Sequence, residues 1–505
     1  MFNQIELACQ PGLFGNRSKR ASKNRWADGN LVRFRDDVPA QIGGWVQPPV
    51  VGATIAGRAR EIISWRPSSA AGRLCAIGTH SNAYEYDGGA VSDITPTGFV
   101  AGRPDSIIGA GYGAGLYNDG LYGTPRVTSA NTLEAASWTF DMFGDTLIGC
   151  FNANGVIYDY LAGTDPRLQA VVGAPTANAI LVSDERHVFA IGADGQGNLV
   201  RWSDREDYTT AGAWTPSATN RAGSYELQVT SPLVCGKRCR SQVLLWTNTE
   251  LFSLSPLNNA LVYSKETIAS RCGVMGPHAV CVVTDGGGEV AIWMGADSFF
   301  MYDGLVRSLE CDLQDYVFND INLVQRAKIQ ARSNSLFDEV WFFYVSDSST
   351  EIDRAVIYNY MNNTWTKANV SRLTWLDQKI FPLPLAIDAS GVIFEHENGS
   401  LAVGAPMDSY VISHPLVQGN GRNELQVEAF WPDLEPLSDT CAVTFIGRDY
   451  PGGPDIIFGP YNFDVTDEKI DLEIDVRELQ VKISGVDGRW ELGLPTLSMQ
   501  IGGQR

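Results

Sequence analysis

Five histidines, His80, His187, His278, His396 and His414, are the first residues to test for chemistry. None stands in an H-x-x-H or H-E-x-x-H spacing, so the chain presents no local zinc-binding pattern. Cys235 and Cys239 are the nearest cysteine pair, but three residues separate them and no second pair stands beside them. The intervening Gly-Lys-Arg reads as a turn between strands. There is no G-x-S-x-G nucleophile elbow and no G-x-x-x-x-G-K-[ST] phosphate loop. Gly286-Gly287-Gly288 follows Asp285 with no helical pattern behind it, so it reads as a hairpin turn and not an anion cradle. No catalytic group, cofactor or metal is expected from these patterns.

Two carboxylate groupings remain. Glu395 and Glu397 flank His396 on one face of an expected strand, where a carboxylate pair can do the acid–base work of a glycosidase. With 58 acidic residues in the chain, the same spacing also arises on ordinary solvated strands. Asp471, Glu473 and Asp475 alternate with Ile470, Leu472, Ile474 and Val476, the pattern of a half-buried strand with an acidic outer face. That face either holds a cation, lines an acidic channel or simply meets water. The apolar set then shifts by one to Leu479, Val481 and Ile483, which demands a bulge or turn near Arg477.

The elements that must carry these residues are strands. The 505 residues are 44% hydrophobic, enough for a sizeable core, and 51 Gly and 24 Pro punctuate the whole length. Seven units repeat one texture, from Leu74–Gly78 with Ala83–Gly89 to Leu385–Asp388 with Val392–Glu395. Each is a continuously apolar strand, a Gly/Asn/Asp turn and an alternating strand rich in aromatics. The first suits burial on both faces and the second half-burial. The repeat averages about 47 residues, within the range of propeller blades. The expected fold is mainly β: a β-propeller of about seven irregular blades over residues 51–420. An N-terminal docking segment precedes it (1–50), and a small C-terminal β domain, read as a sandwich, follows (421–505). The best helical stretch, Leu313 to Arg332, is weakened by Asn319 and Asn322.

Charge narrows the partners. The net charge is −20, which excludes broad, sequence-neutral coating of nucleic acid. No run of about 18 apolar residues predicts a membrane-spanning helix, and the first 20 residues lack a signal-peptide pattern. Nine thinly spread cysteines read as reduced, buried thiols. Against the acidic body, residues 17–35 hold Arg17, Lys19, Arg20, Lys23, Arg25, Arg33 and Arg35 with one acid, Asp28. Trp26, Val32 and Phe34 in the same segment need burial, so the arm is expected to dock on an acidic neighbour, another copy of the chain included. Tyr112, Tyr117 and Tyr122 recur every five residues in a Gly-rich stretch, either a contact surface or a packed loop over a blade.

Three segments carry a resemblance. Arg25-Trp26-Ala27-Asp28-Gly29-Asn30-Leu31-Val32-Arg33-Phe34, with Ile42-Gly43-Gly44-Trp45, resembles the N-terminal signature of virion proteins of tailed bacteriophages. The Gly/Tyr tract 109–123, with Trp138 and Gly144-Asp145-Thr146-Leu147, resembles a second stretch of that group. Gly488-Arg489-Trp490-Glu491-Leu492-Gly493 and the ending Gly502-Gly503-Gln504-Arg505 are similar to its C-terminal pattern. The resemblance implies a nozzle or tail-tube protein of the type that stabilises packaged DNA in short-tailed phages. Such a protein is a ring, typically six copies, below the portal and adaptor, in contact with tail-fibre or tail-tip proteins. Double-stranded DNA would pass it without sequence-specific binding. The implied location is the phage tail, after synthesis in the bacterial cytoplasm, with no membrane insertion. Two readings of other classes stay open: a receptor- or glycan-binding tail-tip protein, and a propeller glycoside hydrolase using Glu395 and Glu397.

Overall fold

The computed structural model describes residues 3–16, 22, 24–68, 72–108, 132–257, 259, 261–418 and 421–504. Its regular structure is almost entirely strand, and seven successive antiparallel sheets form a closed β-propeller. The innermost strands of the blades are Ala59–Trp65, Trp138–Phe143, Ala179–Val182, Leu233–Cys239, Val280–Asp285, Gln330–Asn334 and Thr374–Leu376. Each packs beside the next, and the seventh packs beside the first, so the ring has no open edge along its axis.

The textured units of the sequence are the second and third strands of these blades. Leu74–Thr79 and Glu339–Tyr344 are buried along their whole length, because each second strand lies between two neighbouring blades. Large indoles fill those seams. Trp138 of blade two donates its Nε1–H to the Thr79 carbonyl of blade one, and Trp375 of blade seven donates to Ser333 of blade six. Trp138 and Trp375 thus remove large apolar surfaces from water while the single donor of each finds a partner across the seam.

The last blade is completed from the other end of the chain. Trp45–Val46 pairs with Ile393–His396 as the fourth strand, Trp45 opposite His396 and Val46 opposite Glu395. The ring is therefore closed by long-range pairing. The long interval between the first and second blades holds a two-stranded ribbon, Ile107–Ile108 with Thr132–Leu133, and the Gly/Tyr tract 109–123 falls outside the described residues.

Residues beyond the propeller form two facing sheets. Asn3–Glu6, Thr496–Gln504, Asn423–Trp431 and Ile470–Val476 make one. Asp28–Asn30, Tyr410–Ile412, Glu478–Gly485, Cys441–Arg448 and Ile456–Phe463, with Leu416–Val417 alongside, make the other. Leu425, Val427 and Phe430 share one core with Val443, Phe445, Val481 and Ile483, and that core continues into Phe299 and Phe342 of the propeller. The one-residue shift of apolar phase has a simple cause. At Arg477 the chain leaves one sheet and enters the other, so both apolar sets point inward.

The expected helix is mostly absent. Only Gln314–Phe318 is α-helical, and Leu323–Lys328 is a 3-10 turn that Asn322 starts by accepting the Val324 N–H. Among the described residues no helix is long and apolar enough to cross a membrane.

Candidate functional site

Two buried polar centres stand out, one at the junction of arm, propeller and sandwich, the other on the propeller axis.

At the junction, Val32–Arg35 and Val38–Gln41 form a hairpin whose corner residues, Asp36 and Asp37, both take positive φ. The hairpin lowers Arg33 between two blades. Its Nε lies 2.9 Å from Glu339 Oε1 and its Nη2 lies 2.6 Å from Glu397 Oε1, with all three side chains nearly inaccessible. Trp341 Nε1 and Asn334 Nδ2 donate to the same carboxylates, and the guanidinium sits 3.5 Å from the Phe337 ring centroid. Burial opposes the charge on Arg33, yet the Glu339 and Glu397 carboxylates outweigh it and hold the guanidinium above its usual range. Glu397 also accepts the Gly43 N–H at 3.0 Å.

The Gly43-Gly44 pair is required by this contact. A Cβ at 43 would lie 2.3 Å from Glu397 Oε2, and one at 44 would lie 2.3 Å from the Leu401 carbonyl oxygen. The C-terminal pattern arrives at the same point. Trp490, fully buried, accepts the Gln41 N–H at its carbonyl and donates its Nε1–H to Ser409 Oγ, which in turn donates to Gln41 Oε1.

On the axis, the inner strands present charged residues to a cavity of about 400 Å³. Arg332 of blade six forms a two-bond pair with Glu61 of blade one at 2.9 and 3.1 Å. Glu61 Oε2 also accepts the Nδ1–H of His278 at 2.6 Å, which leaves Nε2 to accept the Ser137 hydroxyl at 2.7 Å. Burial keeps His278 below its usual range and neutral, and burial alone would raise Glu61, but Arg332 and His278 hold it well below the usual carboxylate range. The order serine, histidine, carboxylate is that of an acyl-transfer triad. Here, however, Ser137, His278 and Glu61 are 5%, 4% and 5% exposed, and the carboxylate is committed to Arg332. The chain acts as a brace across the axis, and Gln330 Nε2 adds to it by donating to the Arg60 carbonyl at 2.8 Å. These bonds cross the axis between blades one, two, five and six.

The sequence-derived candidates distribute as follows. Arg33 finds acidic neighbours within its own chain. Arg25 pairs with Asp312, Arg35 lies 3.8 Å from Glu491, and Trp26 is buried in the core. Arg17, Lys19, Arg20, Lys23, Tyr112, Tyr117 and Tyr122 lie outside the described residues. Asp471, Glu473 and Asp475 are exposed on an edge strand, with Lys469 2.6 Å from Asp471.

Two expectations need correction. Glu395 and Glu397 do not share a face: the strand ends at His396, Glu397 turns at φ 57° and its carboxylate is taken by Arg33. The Cys235–Cys239 tract is not a turn but an inner strand of blade four, where its charged residues look into the channel; both thiols are free. Of the arm's described charges, Arg33 is buried against Glu339 and Glu397, while Arg25 and Arg35 stay partly exposed beside Asp312 and Glu491. Among the described residues no group of His, Cys, Asp and Glu is arranged to hold a metal ion. The channel residues Glu61, Ser137 and Arg332 escaped sequence reasoning, and His278 was weighed only for zinc spacing, since the four come from blades one, two, five and six with no common spacing. The available signal was a lone charge inside otherwise apolar strands.

No family model matches the chain, and no curated protein does. Among solved structures, the chain is similar to the β-propeller domain of Cps50 (Swd1) from Myceliophteria thermophila. Identity is 10%, covering 71% of this chain and 99% of that one, with a TM-score of 0.39. An exo-β-1,3-galactanase from Phanerochaete chrysosporium is similar at 9% identity, covering 78% of this chain and 100% of that one, with a TM-score of 0.27.

Proposed function

We propose that this protein is a structural virion component, a ring-forming nozzle or tail-tube protein that sits below the portal and adaptor of a short-tailed phage. In this reading it retains packaged DNA and channels its ejection. One observation carries the reading. The N-terminal and C-terminal segments that resemble phage virion proteins, some 450 positions apart, meet at a single buried junction. There they weld propeller, arm and sandwich together through Arg33, Gly43, Gly44 and Trp490. Residues spent on such a weld serve rigidity, which is what a load-bearing ring subunit needs.

Two features fit the same role. The propeller axis is bridged by side-chain bonds between opposite blades, so DNA would pass between copies and not through a propeller. The net charge of −20 and the exposed Asp471, Glu473 and Asp475 would repel phosphates and let a duplex slide. Native mass spectrometry of the purified chain tests the proposal. A closed ring of about six copies is expected. A monomer or trimer that binds polysaccharide would overturn it in favour of a tail-tip adhesin.

A further inference from the structure

We propose that the open end of the propeller channel is a binding site for a small anion, a ligand bearing a carboxylate or a phosphate group. Four cationic side chains, Lys237, Arg238, Arg332 and Lys379, line the cavity with three acids, Glu61, Asp141 and Asp377. The acids are already satisfied. Glu61 is held by Arg332 and His278. Asp141 accepts from Arg238 at 3.1 Å and from the Val182 N–H at 2.8 Å. Asp377 accepts from the Ser333 hydroxyl at 2.8 Å and from the N–H and hydroxyl of Ser335. Of the cations, Arg238 and Arg332 are paired with Asp141 and Glu61, and the two lysines are not. Among the described residues neither Lys237 nor Lys379 has a carboxylate within ion-pair distance, although the body around them is strongly acidic.

The position of Lys237 sharpens the point. It is half-buried on the inner strand of blade four and borders both the open cavity and a chamber of about 20 Å³ behind it, beside His278 and Glu61. A lysine without a partner in such a setting gives up part of its hydration, and an entering anion restores that loss through charge-assisted hydrogen bonds. A cation, by contrast, would find only occupied carboxylates. A cavity of this volume admits a small molecule.

Isothermal titration of the full chain with inorganic phosphate and, separately, with citrate tests the assignment. One saturable site per chain is expected for at least one probe. Phosphate alone would mark a phosphoryl ligand, and citrate alone a carboxylate. Lys237→Ala is expected to weaken binding about tenfold or more, while Lys265→Ala on the outer strand of blade four leaves it unchanged. If Lys237→Ala does not fold, the exposed Lys379→Ala serves in its place. Failure of both probes to saturate, or wild-type affinity in the folded channel variant, would overturn the proposal. Neither result bears on ring formation, which is read separately.

Discussion

The junction buries an arginine against two carboxylates and the channel sets a half-buried arginine against one, and they use it differently. At the junction Arg33 meets Glu339 and Glu397, Trp341 and Asn334 complete the bonding, and two glycines bring the backbone close enough to seal it. In the channel Arg332 and Glu61 brace the axis, yet Lys237 and Lys379 stand beside them without an acid. One centre is closed and the other is open. The closed one is architecture, because every charge there is answered by a residue of the same chain. The open one keeps positive charge in reserve, and that reserve is what a ligand can use.

Substitutions sharpen the contrast, and the largest effect belongs to the junction. Arg33→Ala leaves two buried carboxylates facing each other and is expected to cost about 3–5 kcal/mol in denaturant unfolding. A loss below about 1 kcal/mol would place Arg33 with ordinary surface pairs and dissolve the distinction.

The pH dependence of stability comes next. His278 is held below its ordinary value of 6.5 and Glu61 below its ordinary 4.5, so the unfolded chain takes up protons that the folded chain refuses. Their stabilisation is fully present above those values. It is lost as pH falls, from below 6.5 for His278 and from below 4.5 for Glu61. Each group contributes a slope of at most about 1.4 kcal/mol per pH unit. Glu61→Gln is expected to be less stable at neutral pH and to show a flatter acid limb below 4.5. An unchanged limb in calorimetry across pH would remove Glu61 from the brace.

Lys237→Met carries a smaller expectation, a change within about 0.5 kcal/mol, since no ion pair is broken. A large loss in the same unfolding assay would mean that the lysine is structural and the channel is closed after all. The smallest effect concerns thiols. Burial pushes Cys150, Cys235 and Cys441 up to about 12, so a disulfide-exchange reagent should leave them unmodified in the folded chain and react after unfolding.

How far the sequence could be read follows from the same physics. The second and third strands of the blades were visible because burial between neighbours makes them apolar, as in Leu74–Thr79 and Val340–Tyr344. The inner strands were hidden because they face a wet axis. Glu61, Asp141, Lys237 and Arg332 interrupt their apolar pattern, and Gly236-Lys237-Arg238 looked like a turn for that reason. The closing strand was hidden by distance, since nothing near Trp45 announces Glu395 and His396. Of the arm, the need to bury Trp26, Val32 and Phe34 was readable from local chemistry, and all three are buried. The arm's partner was not readable, because a buried arginine has no local sign of which acids it will meet.

The most direct test of the structural role is where the protein sits. Electron microscopy of virions carrying this chain, labelled with an antibody against it, is predicted to place the label as a ring at the tail, between the portal region and the tail tip. Label on the capsid shell or on fibre ends, or none on the particle, would contradict the account.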